Sequence, residues 1–334
     1  MIINKKIACS LCFTLLTGSL FAESKLDINL GSEYALSNME RSTPETHELY
    51  RRTSSKNGFF GLEAHNKNFF LPISYGKDKP PRVSNTYPMG DPSNPEETMH
   101  EKNMEVEFQF SLKTQLLYNT IGLHEYVFAA YTQKAWWQAY SESAPFREMN
   151  YEPEIYMYIP AERNFENSIG LHALKVGFVH ESNGHDGYQS RSWNRVYLTG
   201  VWQWDNLFVS TRAWYRISED DKPDGYFDGT SPGGLEPNAK GDDNPDIYNY
   251  LGYGDIKVDY LYGKNQFGLL LRNNLRFDSE NKGAVEFNWM YPIANSKNTF
   301  WYVKMFHGYG ESLIDYNREV TKGSVGFSFS RGLF

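Results

Sequence analysis

The chain has 334 residues, a formal net charge of −8, a mean hydropathy of −0.60 and 16% aromatic residues. The negative charge argues against nucleic-acid binding, and the polar average argues against a bundle of membrane-spanning helices. The same composition suits strands that are apolar on one face and polar on the other.

The N-terminus has the features of a secretory signal peptide. Lysines precede an apolar run that begins at Ile7, and the run closes on small residues before Ala22, which predicts that residues 1–22 are removed by cleavage after Ala22. The run is too short to span a membrane. Both cysteines, Cys9 and Cys12, lie inside it, so the exported chain is expected to contain no disulfide.

The rest of the chain divides into an arm and a strand-rich domain. Residues 23–55 are polar with mixed charge and predict an N-terminal arm, whereas residues 56–334 predict the folded domain. In the clearest strand, Val106, Phe108 and Phe110 alternate with polar side chains. No segment shows sustained helical periodicity. The candidate strands are 68–75, 106–112, 125–139, 151–160, 171–182, 190–204, 207–217, 248–262, 266–277, 284–291, 299–307 and 323–329.

Short and long connections separate these strands. Residues 262–265 form a short turn, whereas residues 218–246 are rich in Asp, Gly and Pro and predict a long outer loop. With 24 Tyr and 8 Trp as candidates for aromatic girdles and Phe334 at the end, we predict an all-β fold, a transmembrane antiparallel β-barrel of about 12 strands in the bacterial outer membrane. A soluble β-sandwich shows the same alternation, but export without disulfides or helices favours the barrel.

Candidate catalytic residues lie at the ends of two predicted strands. His180 and Ser182 share one strand face with Val176 and Phe178, and Asn194 opens the next strand. A histidine can take the proton of a neighbouring serine, and an amide can orient the ring. An apolar face that ends in these groups suits an enzyme whose substrate arrives through lipid. Since H-x-S is a common tripeptide, a non-catalytic pore or structural barrel and a soluble periplasmic esterase remain alternatives.

The turn between these strands is a candidate calcium site. It offers backbone carbonyls, a carboxylate and a hydroxyl, and oxygen ligands of this kind suit Ca²⁺. Backbone N–H groups near Gly184 could stabilise an oxyanion. The alternative interpretation is an ordinary polar hairpin loop. The residues concerned are Gly184, His185, Asp186, Gly187 and Ser190.

Five segments carry a resemblance to a known family. The stretch HESNGHDGYQSRSWNR, residues 180–195, resembles the H-x-S-N-G and S-R-S-W-N-R motifs of the outer membrane phospholipase A family. The resemblance extends over most of the chain beyond its first hundred residues, and its motifs are highly specific. The other segments are YTQKAWWQ (131–138), SAPFREMNYEP (143–153), DDNPD (242–246) and GYGESLIDYN (308–317).

The resemblance implies a twelve-stranded outer-membrane barrel that hydrolyses acyl esters, at the sn-1 and sn-2 positions, of phospholipids and lysophospholipids. It implies a requirement for Ca²⁺ and activity as a homodimer, with a resting monomer. Carried onto this sequence, Ser182 is the nucleophile, His180 the general base and Asn194 the residue that orients it. All three would face the lipid.

The resemblance also implies ligands and a dimer contact. The Ser190 side chain and the His185 backbone carbonyl would hold calcium together with the partner subunit's Ser143. Asp243 corresponds to a further calcium-associated position, and Gln133 to a polar residue buried in the dimer contact.

Two departures from the family pattern bear on the calcium site. The loop acid is Asp186 with Gly187 next, whereas relatives place the acid one residue later. Residues 218–240 form a longer segment than their family counterpart.

Overall fold

The computed structural model describes residues 61–84, 87, 99–224, 226, 238–296 and 298–333. The predicted signal peptide, residues 1–22, and the predicted arm, residues 23–55, lie outside the described residues and remain predictions. Antiparallel strands dominate the described part, which confirms the predicted all-β class.

The described residues contain thirteen strands, two short α-helices and two 3₁₀ helices, Gly187–Gln189 and Ile293–Asn295. None of these helices is both long and apolar enough to cross a membrane. The strands are β1 (Leu62–Ala64), β2 (Phe69–Gly76), β3 (Met104–Tyr118), β4 (Tyr126–Trp137), β5 (Phe146–Pro160), β6 (Leu171–Ser182), β7 (Ser192–Trp204), β8 (Leu207–Ile217), β9 (Gly254–Tyr262), β10 (Asn265–Asn273), β11 (Gly283–Pro292), β12 (Phe300–Gly308) and β13 (Val320–Ser328). The α-helices are α1 (Arg163–Ile169) and α2 (Tyr248–Leu251).

The sheet closes on itself. Each strand from β2 to β13 pairs with its neighbour in sequence, and β13 pairs with β2. The short β1 pairs with β3 beside β2, so β1 and β2 act as one interrupted strand. At the interruption the Asn68 side chain replaces ladder bonds, because its Oδ1 accepts from the Ser111 N–H at 2.7 Å and its Nδ2 donates to the Ser111 carbonyl at 3.0 Å. The fold is therefore a closed antiparallel barrel of twelve strands, as predicted.

Buried polar and charged side chains line much of the interior of the barrel, beside a cluster of buried aromatic residues, and apolar side chains cover the outside. On β3, Glu105 and Glu107 are buried, whereas Phe110 is 51% exposed. Glu105 accepts from the Lys322 ammonium at 2.6 Å and Glu107 pairs with Lys304, so interior charges are compensated. A cavity of about 250 Å³, with Glu107 and Lys304 in its lining, remains in the interior. A soluble β-sandwich would bury the apolar face, so this arrangement excludes that alternative.

Loop lengths differ between the two ends of the barrel. Tight turns at residues 205–206 and 263–264 close one end, where Asp205 and Gly263 take the positive φ of two-residue hairpins. The longest connection, between β8 and β9, lies at the other end, where β6 also ends and β7 begins. The candidate catalytic residues therefore lie at the end with the long loops.

Several predicted strand boundaries were wrong: β3 ends at Tyr118 rather than at 112, β5 begins at Phe146 rather than at 151, and β10 ends at Asn273 rather than at 277. The segment predicted as a strand from residue 248 begins with α2, and β9 starts only at Gly254. The helix ends at Gly252, which has a φ of 66°, and Leu251 packs into the aromatic core beside Trp214. Tyr and Leu suit either structure, so composition did not identify this turn.

Candidate active site

The β6–β7 hairpin places the three candidate catalytic residues together on the outer wall. Val176 and Phe178 are 49% and 38% exposed on β6, and the period of two directs His180 and Ser182 to the same outer face. In the antiparallel register His180 lies opposite Asn194, and Ser182 lies opposite Ser192. The three groups therefore face away from the lumen, at the edge of the apolar surface.

A chain of hydrogen bonds runs through Asn194. Its Oδ1 lies 2.9 Å from Nδ1 of His180, and its Nδ2 donates to Oε1 of Glu219 at 3.0 Å. Because a carboxylate only accepts, the contact with Glu219 requires the amide nitrogen to face it, so the amide oxygen faces the ring. Nδ1 of His180 must then carry the hydrogen that it donates. This leaves Nε2 of His180 as the basic nitrogen.

Hydrogen bonds on the lumen side of the hairpin stabilise this arrangement. Glu181, between His180 and Ser182, points inward and accepts from Nη2 of Arg195 at 2.7 Å and from the indole Nε1–H of Trp193 at 2.8 Å. The Arg195 guanidinium also lies 3.7 Å from the ring centre of Trp193. These bonds connect β6 to β7 directly behind the candidate catalytic groups.

The loop between β6 and β7 is closed by Asn183. Its Oδ1 accepts from the Arg191 N–H at 3.0 Å and the His185 N–H at 3.3 Å, and its Nδ2 donates to the Gln189 carbonyl at 2.8 Å. Asn183 is 2% exposed. A single buried amide thus fixes both arms of the predicted calcium loop, and the sequence analysis did not identify it.

Gly184 follows Asn183 with a φ of 67°, a conformation that favours glycine. A Cβ atom at this position would approach the Tyr151 ring to 3.0 Å. The turn next to Ser182 therefore depends on glycine. Its role as an oxyanion donor remains a prediction.

Two of the predicted calcium residues meet. Oγ of Ser190 donates to Oδ2 of Asp243 at 2.6 Å, and both residues line a cavity of about 370 Å³. Flanking residues anchor the segment: Asp242 pairs with Arg216, and Asn244 Oδ1 accepts from the Ser192 N–H at 2.9 Å. A hydroxyl and a carboxylate at one cavity are oxygen donors that suit Ca²⁺, so the residues fit this ion. No group of three or more His, Cys, Asp or Glu that could hold a metal occurs within the described residues.

The remaining predicted site residues lie apart from this pair. Ser143 is exposed in the loop between β4 and β5. Gln133 faces outward on β4, where its Oε1 accepts from the Tyr131 hydroxyl at 3.2 Å. The His185 ring lies 3.6 Å from Glu148, and burial lowers the pKa of His185, with Arg191 adding to the effect and Asp186 opposing it. Asp186 itself is exposed.

Two residues of the long loop contact the site and were not identified from the sequence. Glu219 bonds to Asn194, and the Lys222 ammonium lies 2.8 Å from Oδ1 of Asp243. Both contacts join residues more than twenty positions apart: Glu219 reaches the start of β7, and Lys222 and Asp243 join two parts of the long loop. Local sequence patterns carry no signal for such pairs.

A closed barrel with an apolar outer wall and candidate catalytic groups at its outer edge defines an outer-membrane β-barrel protein. The family model described as Phospholipase A1 matches residues 46–329. The chain belongs to the phospholipase A1 family, which confirms the resemblance seen in the motifs.

Named relatives and solved structures agree with this assignment. A "Putative phospholipase A1" of Neisseria meningitidis serogroup B is 32% identical over 305 residues, which cover 86% of this chain and 72% of the relative. The "Phospholipase A1" of Escherichia coli K12 is 34% identical over 224 residues, covering 66% of this chain and 68% of the relative. The outer membrane phospholipase A structure from Escherichia coli superposes with a TM-score of 0.65 at 30% identity, covering 82% of this chain and 93% of that one. A Salmonella typhi outer membrane phospholipase dimer with bound calcium gives a TM-score of 0.67 at 29% identity, covering 89% and 97%.

Proposed function

We propose that this outer-membrane barrel is a calcium-dependent phospholipase that cleaves sn-1 and sn-2 acyl esters of phospholipids and lysophospholipids. Ser182 is the nucleophile, His180 the general base and Asn194 the residue that orients the base. The observation that carries the proposal is the bond between His180 Nδ1 and Asn194 Oδ1 on the outer wall, with Ser182 on the same face. Acyl chains of membrane lipids reach that wall without leaving the hydrocarbon.

The chemistry follows from the tautomer of His180. Its Nε2 takes the hydroxyl proton while Oγ of Ser182 attacks the ester carbonyl carbon, and Nδ1 keeps its hydrogen in the bond to Asn194. The protonated ring then gives the proton to the departing glycerol oxygen, which leaves an acyl ester on Ser182. Water attacks this ester with the same base and releases the fatty acid.

Glu219 contributes to the proposed mechanism through its hydrogen bond with Asn194. By accepting from Nδ2 of Asn194, it prevents the amide from turning its nitrogen toward His180. A reversed amide would face the ring with a donor and favour the wrong tautomer. We assign Glu219 as a positioning residue that acts through Asn194.

Calcium and the dimer belong to the same proposal. Ser190, Asp243 and the His185 carbonyl would hold the ion with the partner subunit's Ser143, and Gln133 would lie in the dimer contact. When bound, calcium would supply positive charge near the carbonyl oxygen of the ester, on which negative charge develops during attack. The backbone N–H of Gly184 would contribute at the same place. The solved relative described as a dimer with bound calcium supports this part of the proposal.

The test is phospholipid hydrolysis by the purified full chain in detergent. We expect Ser182→Ala to lower kcat by about three orders of magnitude or more, because the nucleophile is lost. The control Ser192→Ala, one position across the ladder, should keep a nucleophile and retain activity. Addition of EDTA should abolish hydrolysis and excess calcium should restore it. Equal rates for the wild type and Ser182→Ala would instead favour a barrel without this chemistry.

A further inference from the structure

Lys222 places a positive charge in the candidate calcium site. Its ammonium lies 2.8 Å from Oδ1 of Asp243, and its side chain is only 5% exposed. It also donates to the carbonyl of Ala239 and lies 4.7 Å from the ring centre of Tyr226. A carboxylate, a carbonyl and an aromatic face thus hold the ammonium, which is a complete set of partners for a buried lysine.

The same carboxylate carries the bond to the predicted ligand Ser190. Oδ2 of Asp243 accepts from Ser190, and Oδ1 faces Lys222, so both carboxylate oxygens are engaged. Calcium bonds to oxygen at about 2.3–2.6 Å. An ion coordinated by Asp243 would therefore lie next to the ammonium, and two cations at that separation repel strongly in a partly buried site.

Charges around the cavity are balanced only with Lys222 in place. The cavity is lined by two carboxylates, Asp243 and Asp246, and by the guanidinium of Arg191. Asp246 accepts a hydrogen bond from Tyr316, and Arg191 donates to the Ser190 carbonyl at 2.6 Å. With Lys222, two negative charges face two positive charges. Without it, one negative charge remains, and that is the state suited to a divalent cation.

We propose that Lys222 is a tethered cation that occupies the Asp243 carboxylate, so that calcium binds by displacing it. The inference rests on the proposed calcium dependence and adds a residue that sets the calcium affinity. It also gives a role to the loop that is longer than its family counterpart, because Lys222 belongs to that loop.

Displacement of Lys222 by calcium would also affect the candidate catalytic residues, through the loop that carries Lys222. Lys222 lies three residues after Glu219, which bonds to Asn194. The other arm of the loop reaches the calcium loop, because Asn238 Oδ1 accepts from the Gly187 N–H at 3.0 Å. Movement of Lys222 therefore acts on a segment that contacts both the ion site and the residue that orients His180.

The experiment measures calcium binding directly in the full chain in detergent, by calorimetry and by terbium luminescence excited through nearby tyrosines. Lys222→Met and Lys222→Gln remove the charge, and Gln keeps a donor for the carboxylate. We expect both to lower the calcium Kd about tenfold or more, since the competing charge is gone. The control Lys222→Arg keeps the charge and should leave the Kd within about threefold of the wild-type value. Retained heat-dependent gel mobility verifies that each variant forms the barrel.

A double-mutant cycle with Asp243→Asn isolates the contact. In that background, removing the Lys222 charge should no longer tighten calcium binding, because the shared carboxylate is absent. A Kd for Lys222→Met and Lys222→Gln equal to or weaker than wild type would overturn the inference and leave the proposed function intact. Failure of every variant and of the wild type to bind calcium would overturn both the calcium requirement and the inference.

Discussion

Asn194 is hydrogen-bonded at both ends of its amide, from Nδ2 to Oε1 of Glu219 at 3.0 Å and from Oδ1 to Nδ1 of His180 at 2.9 Å. The carboxylate fixes the amide orientation, and the amide fixes the hydrogen on the ring. Glu219 therefore selects the basic nitrogen of His180 through Asn194, although Glu219 itself contacts neither Ser182 nor His180.

Replacement of Glu219 tests this relationship. Glu219→Leu frees the amide to turn, and we expect kcat to fall about tenfold with little change in KM, because a fraction of molecules holds the wrong tautomer. Glu219→Gln is the matched control, since its side-chain oxygen still accepts from Asn194. Nuclear magnetic resonance of ¹⁵N-labelled histidine should show the hydrogen on Nδ1 of His180 in the wild type and in the Gln variant, and a mixture in the Leu variant. An unmixed Nδ1–H signal in Glu219→Leu would contradict the prediction.

A second prediction concerns Asn194→Asp. In many enzymes an aspartate orients the catalytic histidine, but here the new carboxylate would face Glu219 at hydrogen-bond distance. Two carboxylates in contact cannot both ionise readily, so we expect activity to fall about a hundredfold. Asn194→Asp with Glu219→Gln removes the repulsion and should recover about tenfold of the loss. Steady-state rates on one substrate measure both the loss in Asn194→Asp and the recovery in the double variant. A double variant no faster than Asn194→Asp would refute the repulsion argument.

The faces of the strands were predictable from the sequence because they depend on a period of two. His180, Ser182 and Asn194 lie on the outer wall, as alternation along β6 and β7 predicted. Asn194 lies opposite His180, as expected if the two strands pair. These are local features, and local patterns determine them.

Contacts made by long loops were not predictable in the same way. Glu219 and Lys222 meet Asn194 and Asp243 across gaps of more than twenty residues, and no periodicity relates such positions. The four-residue helix α2 was missed because its aromatic and apolar composition also suits a strand. The sequence therefore identified the wall and its candidate catalytic groups, but not the loop residues that adjust them.

Asn183 gives a prediction with an internal control. Asn274 closes another outer loop with the same set of bonds, since its Oδ1 accepts from the N–H groups two and eight residues later and its Nδ2 donates to the carbonyl six residues later. We expect Asn183→Ala to weaken calcium binding about tenfold, because the loop that bears Ser190 loses its closing amide. Asn274→Ala should destabilise its own loop and leave the calcium Kd unchanged. Calorimetric titration of both variants compares them, and equal effects would show that the result is a general loss of stability.

Gln133 provides a test of the proposed dimer. It is a polar side chain on the outward face of β4, with its oxygen bound to Tyr131 and its amide nitrogen 3.8 Å from the Met149 sulfur. In an apolar environment an amide gains from a partner in a second copy, typically by about 1 kcal/mol. We therefore expect Gln133→Leu to raise the dimer dissociation constant, in detergent with calcium, by about fivefold to tenfold. The protein concentration needed for half-maximal activity should rise by the same factor.

The control for Gln133→Leu is Val285→Leu, an outward-facing position on β11, five strands away from β4 around the closed barrel. Sedimentation at several protein concentrations gives the dimer dissociation constant for each variant. The control should match the wild type, because that wall is remote from Gln133. If Gln133→Leu dimerises as the wild type does while activity still depends on concentration, the subunits meet along another part of the barrel. Activity that is independent of protein concentration in all three proteins would instead assign the chemistry to the monomer.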